Sequence, residues 1–127
     1  MIGYTLLGTD HLDRAREFYG AFLAAMGATP QLQSHRLTLY GREPGQPLFG
    51  ICTPYDEQPA TAGNGSMVAL PAGSQEQVRR LHALALELGA TDDGAPGERI
   101  PGFYMAYFRD PDGHLLELAT PGLWAIY

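Results

Sequence analysis

The sequence predicts an α+β protein of two modules, each running strand, helix, then two or three antiparallel strands. Three observations carry that prediction. Gly27-Ala28-Thr29 recurs as Gly89-Ala90-Thr91 about half a chain later, the mark of an internal repeat. Each copy closes a strongly amphipathic stretch. Each stretch is flanked by short apolar runs, separated by glycine and proline as strands are.

Taken in order, Tyr4 to Leu7 reads as the first strand. Leu12, Ala15, Phe18, Tyr19, Phe22, Leu23 and Met26 then fall on one helical stripe, with Asp13, Arg14, Arg16 and Glu17 opposite. Thr9 or Asp10 can cap this helix, and Gly27 stands where a C′ glycine belongs. Arg36–Tyr40 and Leu48–Cys52 read as strands, and Gln31–His35 continues the sheet. Pro54 to Gly65 has two prolines, two glycines and no apolar period, so it reads as a linker. The chain is thus one domain, 1–127, with modules at about 1–58 and 62–127 and the linker at 54–65.

The second module repeats the plan. Met67 to Leu70 is its first strand. Val78, Leu81, Leu84, Ala85 and Leu88 make the apolar stripe of its helix, opened by a Ser74/Gln77 capping box and closed by Gly89. Phe103–Phe108 and Leu115–Ala119 are strands, extended by Glu98–Ile100. They are joined by Asp110-Pro111-Asp112-Gly113, whose residue types suit a type I turn.

Composition narrows the function classes. At 127 residues and 45% hydrophobic content, the chain can bury a core. Eight basic against fourteen acidic residues, a net charge of −6, repel phosphate backbones and argue against nucleic acid as a partner. Cys52 is the only cysteine, so no internal disulfide forms, and its strand-like neighbours suggest a buried, inert thiol. No run is long enough to cross a membrane, and the first residues lack the charged region of a secretion signal. A cytoplasmic protein is expected.

The residue that raises the question of chemistry is Glu117, a lone carboxylate among Leu115, Leu116 and Leu118. It either faces water, paired with Arg36, Arg99 or Arg109, or occupies a cleft as a general base or ligand anchor. Tyr104 and Tyr107 flank the same hairpin and alternate between the faces of their strand. Of the four histidines, His11, His82 and His114 have ready surface explanations. His35, beside Arg36 at a strand start, is the one placed to meet a ligand. Arg109, preceding the turn, is expected to tie down Asp110 or Asp112.

Three segments resemble the vicinal oxygen chelate superfamily of glyoxalase I, bleomycin resistance proteins, fosfomycin resistance enzymes and extradiol dioxygenases. They are T-D-H-L-D-R-A-R-E-F-Y, then S-M-V-A-L followed by S-Q-E-Q-V-R-R-L-H, and F-R-D-P-D-G-H-L-L-E-L. The resemblance implies two βαβββ modules whose curved mixed sheets enclose a cleft, often completed by a second subunit. In metal-dependent members, a first-strand histidine of each module and a late-strand glutamate hold a divalent ion that chelates neighbouring substrate oxygens.

In this chain the two histidine positions fall on Tyr4 and Met67, and Glu117 alone matches. No cofactor is therefore expected, with Glu117 the one residue that could serve a divalent metal. The resemblance favours a bleomycin-resistance-like protein that binds or sequesters a small molecule, with Tyr4, His35, Met67, Tyr104, Tyr107 and Glu117 as ligand-binding candidates. The alternative is a glyoxalase-I-like lyase or isomerase, or a dioxygenase. It would be metal-dependent, or metal-free with Glu117 as base and Tyr4 supporting the oxyanion. A homodimer is expected, with the apolar end Leu123, Trp124, Ala125, Ile126 and Tyr127 packing on the partner or across the sheet.

Overall fold

The structure, a computed structural model, describes residues 1–121; the apolar end at 123–127 lies outside the described residues. The chain divides into two compact units, Met1–Ala62 and Gly63–Tyr127. The first contains β1 (Tyr4–Gly8), α1 (Leu12–Ala24), β2 (Thr29–Gln33), β3 (Leu37–Gly41) and β4 (Leu48–Cys52). The second contains β5 (Val68–Pro71), α2 (Gln75–Glu87), β6 (Thr91–Ile100), β7 (Phe103–Arg109) and β8 (Leu115–Ala119). Each unit is a βαβββ module.

The two sheets share one topology. Their strand orders are β1-β4-β3-β2 and β5-β8-β7-β6. The first strand of each module lies parallel to the last and the remaining pairs are antiparallel. A helical crossover suits a parallel pair, which a short hairpin cannot join.

Helix α1 buries Ala15, Phe18, Tyr19, Phe22 and Leu23, the stripe the sequence marks. Phe18 stacks on Phe22 with ring centres 5.8 Å apart, and Tyr19 meets Phe49 of β4 at 4.9 Å. Phe49 and Ile51 therefore face the helix, as do Thr5 and Leu7, their partners on β1. In the second unit Val78, Leu81 and Ala85 of α2 are buried, with Ala106, Phe108, Leu116 and Leu118 of the sheet at or near zero exposure.

Helix starts differ between the modules. Ser74 caps α2, its hydroxyl accepting the Gln77 N–H at 3.1 Å. The N-cap of α1 is His11, with no side-chain cap bond; Thr9 instead turns its hydroxyl to the His11 N–H at 2.9 Å. The most altered element is β6. The sequence offers only Glu98–Ile100, whereas the strand runs ten residues with three register shifts against β7. Glycine and proline conceal an irregular strand that pairs on one side only.

Candidate functional site

The two faces of the second sheet are distinguished by Tyr104. Arg79 on α2 donates from Nη1 to the Tyr104 hydroxyl at 3.3 Å and lies over the same ring. Tyr104, Ala106 and Phe108 thus face α2, and alternation turns Met105, Tyr107 and Arg109 to the helix-free face. Register extends that face across the sheet. Gly94, Tyr107, Glu117 and Ala69 stand opposite one another in a single row over β6, β7, β8 and β5.

Glu117 is 7% exposed. Tyr107 is its cross-strand neighbour on β7, and the phenol donates to the Met105 sulfur at 3.3 Å. Burial, foremost, and then the neighbouring Glu117 raise the Tyr107 phenol above its ordinary range, opposed by Arg99. Tyr107 is therefore a protonated donor at neutral pH. The Arg99 guanidinium lies 5.2 Å from its ring centre, and on the other side of Glu117 stands the small, exposed Ala69. The row offers a buried carboxylate with a phenol-bearing neighbour on one side and a small residue on the other. Such a group can accept a hydrogen bond or proton from a small molecule.

Tyr104 lies on the α2 face, away from Glu117. Met67, 47% exposed, precedes β5 by one residue and continues the side of Ala69. Tyr4, 57% exposed, starts β1 opposite Leu48, the equivalent place in the first sheet. There Leu6 pairs with Gly50 as Ala69 pairs with Glu117, so Gly50 occupies the place of Glu117. His35 is exposed in the turn between β2 and β3. It lines a first-unit cavity of about 520 Å³ with Thr9, Asp10, Arg36 and Tyr55.

Several side chains depart from their sequence-based assignments. His82 and His114 are buried, at 5% and 6% exposure. His82 points from α2 into the sheet, its Nε2 3.0 Å from Asp92 Oδ1 and 3.2 Å from the Tyr107 carbonyl. Arg109 bonds Asp93 at 3.2 Å and the Gly113 carbonyl, because β6 brings Asp93 to it across the ladder. Arg36 donates to the Thr53 carbonyl at 2.7 Å, and Arg99 is the arginine at the Tyr107 ring. Gly94 and Asp92 went unmarked in the sequence because β6 lacks the alternation that identifies strands.

A hard divalent ion requires several oxygen or imidazole donors. At the family's ligand positions the first module offers the Tyr4 phenol, and the second offers the Met67 thioether and the Glu117 carboxylate. Such a donor set does not fit the ion. Among the described residues no group of three or more His, Cys, Asp or Glu is placed to hold a metal. Also among the described residues, no helix is long and apolar enough to cross a membrane.

Residues 1–118 match the family model described as Glyoxalase/Bleomycin resistance protein/Dioxygenase superfamily. Among solved structures, a glyoxalase/bleomycin resistance protein from Albidiferax ferrireducens T118 is 36% identical, with a TM-score of 0.86 over 96% of this chain and 99% of that one. A putative glyoxalase from Bacillus halodurans shares the fold at 22% identity, with a TM-score of 0.78 over 95% and 96% of the two chains. So does a structure named lactoylglutathione lyase from Agrobacterium tumefaciens, at 21% identity and TM-score 0.71 over 98% and 96%. Comparison with curated proteins gave no match.

Proposed function

We propose, from the premise that this chain belongs to the Glyoxalase/Bleomycin resistance protein/Dioxygenase superfamily, that it binds a small molecule at Glu117 without a metal. The observation that carries this reading is the Glu117 row itself. A buried carboxylate stands beside the Tyr107 phenol and is open beside Ala69, while Tyr4 and Met67 stand where relatives would need metal donors. The ligand is a molecule with a hydroxyl, amide or ammonium donor for Glu117. Tyr107 and Met67 line the approach, and Tyr104, on the α2 face, takes no part. Binding or sequestration of the bleomycin-resistance kind requires nothing further.

A second reading is favoured by the burial of Glu117 beside Tyr107. A buried carboxylate with a phenol for a neighbour can act as the general base of a lyase or isomerase. Under this reading Glu117→Gln abolishes turnover and retains binding, whereas a simple anchor loses binding.

The first test is elemental analysis by mass spectrometry of untagged protein and of Glu117→Ala, followed by a thermal-shift screen of small amines, polyols and amides. The expected result is no stoichiometric transition metal in either protein, with at least one compound that raises the melting temperature of the parent alone. Stoichiometric metal that disappears in Glu117→Ala would return the metalloenzyme reading. The proposal includes a homodimer, supported by edge strand β1 with Tyr4 and Leu6 exposed. Sedimentation showing only monomer at micromolar concentration would remove that part.

A further inference from the structure

We propose that His82, Asp92 and Gly94 are positioning residues that aim the Tyr107 phenol at Glu117. The inference deepens the ligand-binding reading above and rests on it for its functional meaning.

The side chain of Tyr107 has a seat built by β6. Gly94 stands directly opposite, and a Cβ there would come within 2.8 Å of Tyr107 Cδ2 and within 2.8 Å of Arg99 Nη2. No other residue lets the ring lie flat against that strand. Above the ring, Arg99 is fixed by donating from Nη2 to the Ala95 carbonyl at 2.8 Å. The ring is thus bounded by the bare backbone of Gly94 on one side and by a tethered guanidinium on another.

That seat exists because β6 bulges, and the bulge is fastened from the opposite face of the sheet. The register shifts between Asp92 and Gly94. At this point Asp92 Oδ1 accepts the Gly94 N–H at 3.0 Å and faces His82 Nε2, also at 3.0 Å. The same Nε2 is 3.2 Å from the Tyr107 carbonyl. Both neighbours of Nε2 are acceptors, so this nitrogen carries the proton. One buried histidine of α2 therefore joins the carboxylate that shapes the bulge to the backbone of the residue seated in it. Bulges re-aim side chains beside functional sites. Here the chain of contacts runs His82 to Asp92, Asp92 to Gly94 and Gly94 to the Tyr107 ring, and Tyr107 stands directly opposite Glu117 across the ladder.

A purely structural clasp would affect stability alone; a positioning clasp must alter the surroundings of the Tyr107 phenol. Protein labelled with ¹³C at the hydroxyl-bearing carbon of tyrosine reports those surroundings by NMR, with the Tyr107 signal assigned by its loss in Tyr107→Phe. Glu117→Gln defines the signal of a phenol without the neighbouring charge. Gly94→Ala, and Asp92→Ala where it folds, are expected to shift the Tyr107 signal while Tyr40 and Tyr104 stay in place. Asp92→Asn keeps one acceptor oxygen and is expected to produce a smaller shift. A folded Gly94→Ala protein with an unmoved Tyr107 signal would overturn the inference. A moved signal with unaltered binding of the compounds that depend on Glu117 would support the positioning and overturn Tyr107 as part of the ligand site, so the two readings fail separately.

Discussion

The Asp110 carboxylate accepts the backbone N–H of His114 at 3.0 Å, and the same oxygen accepts the Asp112 N–H at 2.9 Å. Two backbone bonds close the turn as well, Asp110 N–H to the His114 carbonyl and Gly113 N–H to the Asp110 carbonyl, each 2.9 Å. With Asp110 at 4% exposure, this turn fixes the register of β7 against β8. A slip of one residue would rotate Glu117 to the α2 face. Asp110→Ala leaves buried N–H groups unpaired and is expected to cost about 1–3 kcal/mol. Asp110→Asn, which keeps an acceptor, should cost less. Urea denaturation checks both, and an unchanged midpoint for Asp110→Ala would show that the hairpin closes without its side chain.

Asp92 supplies a pH dependence whose sign is fixed by its contacts. Its carboxyl is held below the ordinary carboxylate range, chiefly by the Gly94 N–H and further by His82, against some desolvation. A folded-state value below the unfolded one contributes stability that is present above the ordinary range and lost as pH falls through the folded value. Asp92→Asn is therefore expected to flatten the decline of stability below about pH 4. The measurement is the urea midpoint as a function of pH. A decline identical to that of the parent would assign acid sensitivity to other carboxylates.

Much of this architecture is legible in the sequence because two kinds of signal are local. The helical stripes of Phe18, Tyr19 and Phe22 and of Val78, Leu81 and Ala85 are set by the 3.6-residue period, and both helices lie within a residue or two of where the stripes place them. The Asp-Pro-Asp-Gly turn is likewise local chemistry. What escaped is non-local. His82 is four residues past Val78 and three before Ala85, at the margin of the apolar stripe, where the sequence leaves its burial open, and Asp92 of β6 covers that margin. Strand β6 itself contains Asp92, Asp93, Gly94, Pro96 and Gly97, residues that normally end strands. It persists because β7 supplies a regular partner and irregularities absorb the misfits. Alternation alone separates Tyr104 from Tyr107, whereas the orientation of each face depends on Arg79, which lies in a different element, α2.

Gly50 gives the first sheet a testable counterpart to Glu117. A Cβ at this position would lie 2.4 Å from Leu39 Cδ2, 2.7 Å from Leu6 Cδ2 and 3.2 Å from the Thr38 carbonyl oxygen. The glycine lets two leucines close over the strand where the second sheet carries its carboxylate. Gly50→Ala is expected to destabilise by about 1–3 kcal/mol through overpacking, and Leu39→Ala in the same chain should recover part of the loss. Thermal unfolding of the single and double variants measures this coupling. Strict additivity would mean that the leucines are not what excludes a side chain from position 50.

Glu117 makes the sharpest distinction between function and structure. A carboxylate at 7% exposure in a sheet of leucine and methionine carries a desolvation cost that stability alone would not retain. Residues kept for binding characteristically stabilise a protein when replaced. Glu117→Gln keeps the shape and an acceptor oxygen while removing the charge. It is expected to leave stability unchanged or raise it by about 1 kcal/mol, and at the same time to abolish or weaken the thermal shift produced by compounds that bind the parent. Urea denaturation reads the first effect and the thermal-shift screen the second. A loss of stability above about 1 kcal/mol, with compound binding intact, would make Glu117 a structural partner of Tyr107 and move the ligand site elsewhere in the chain.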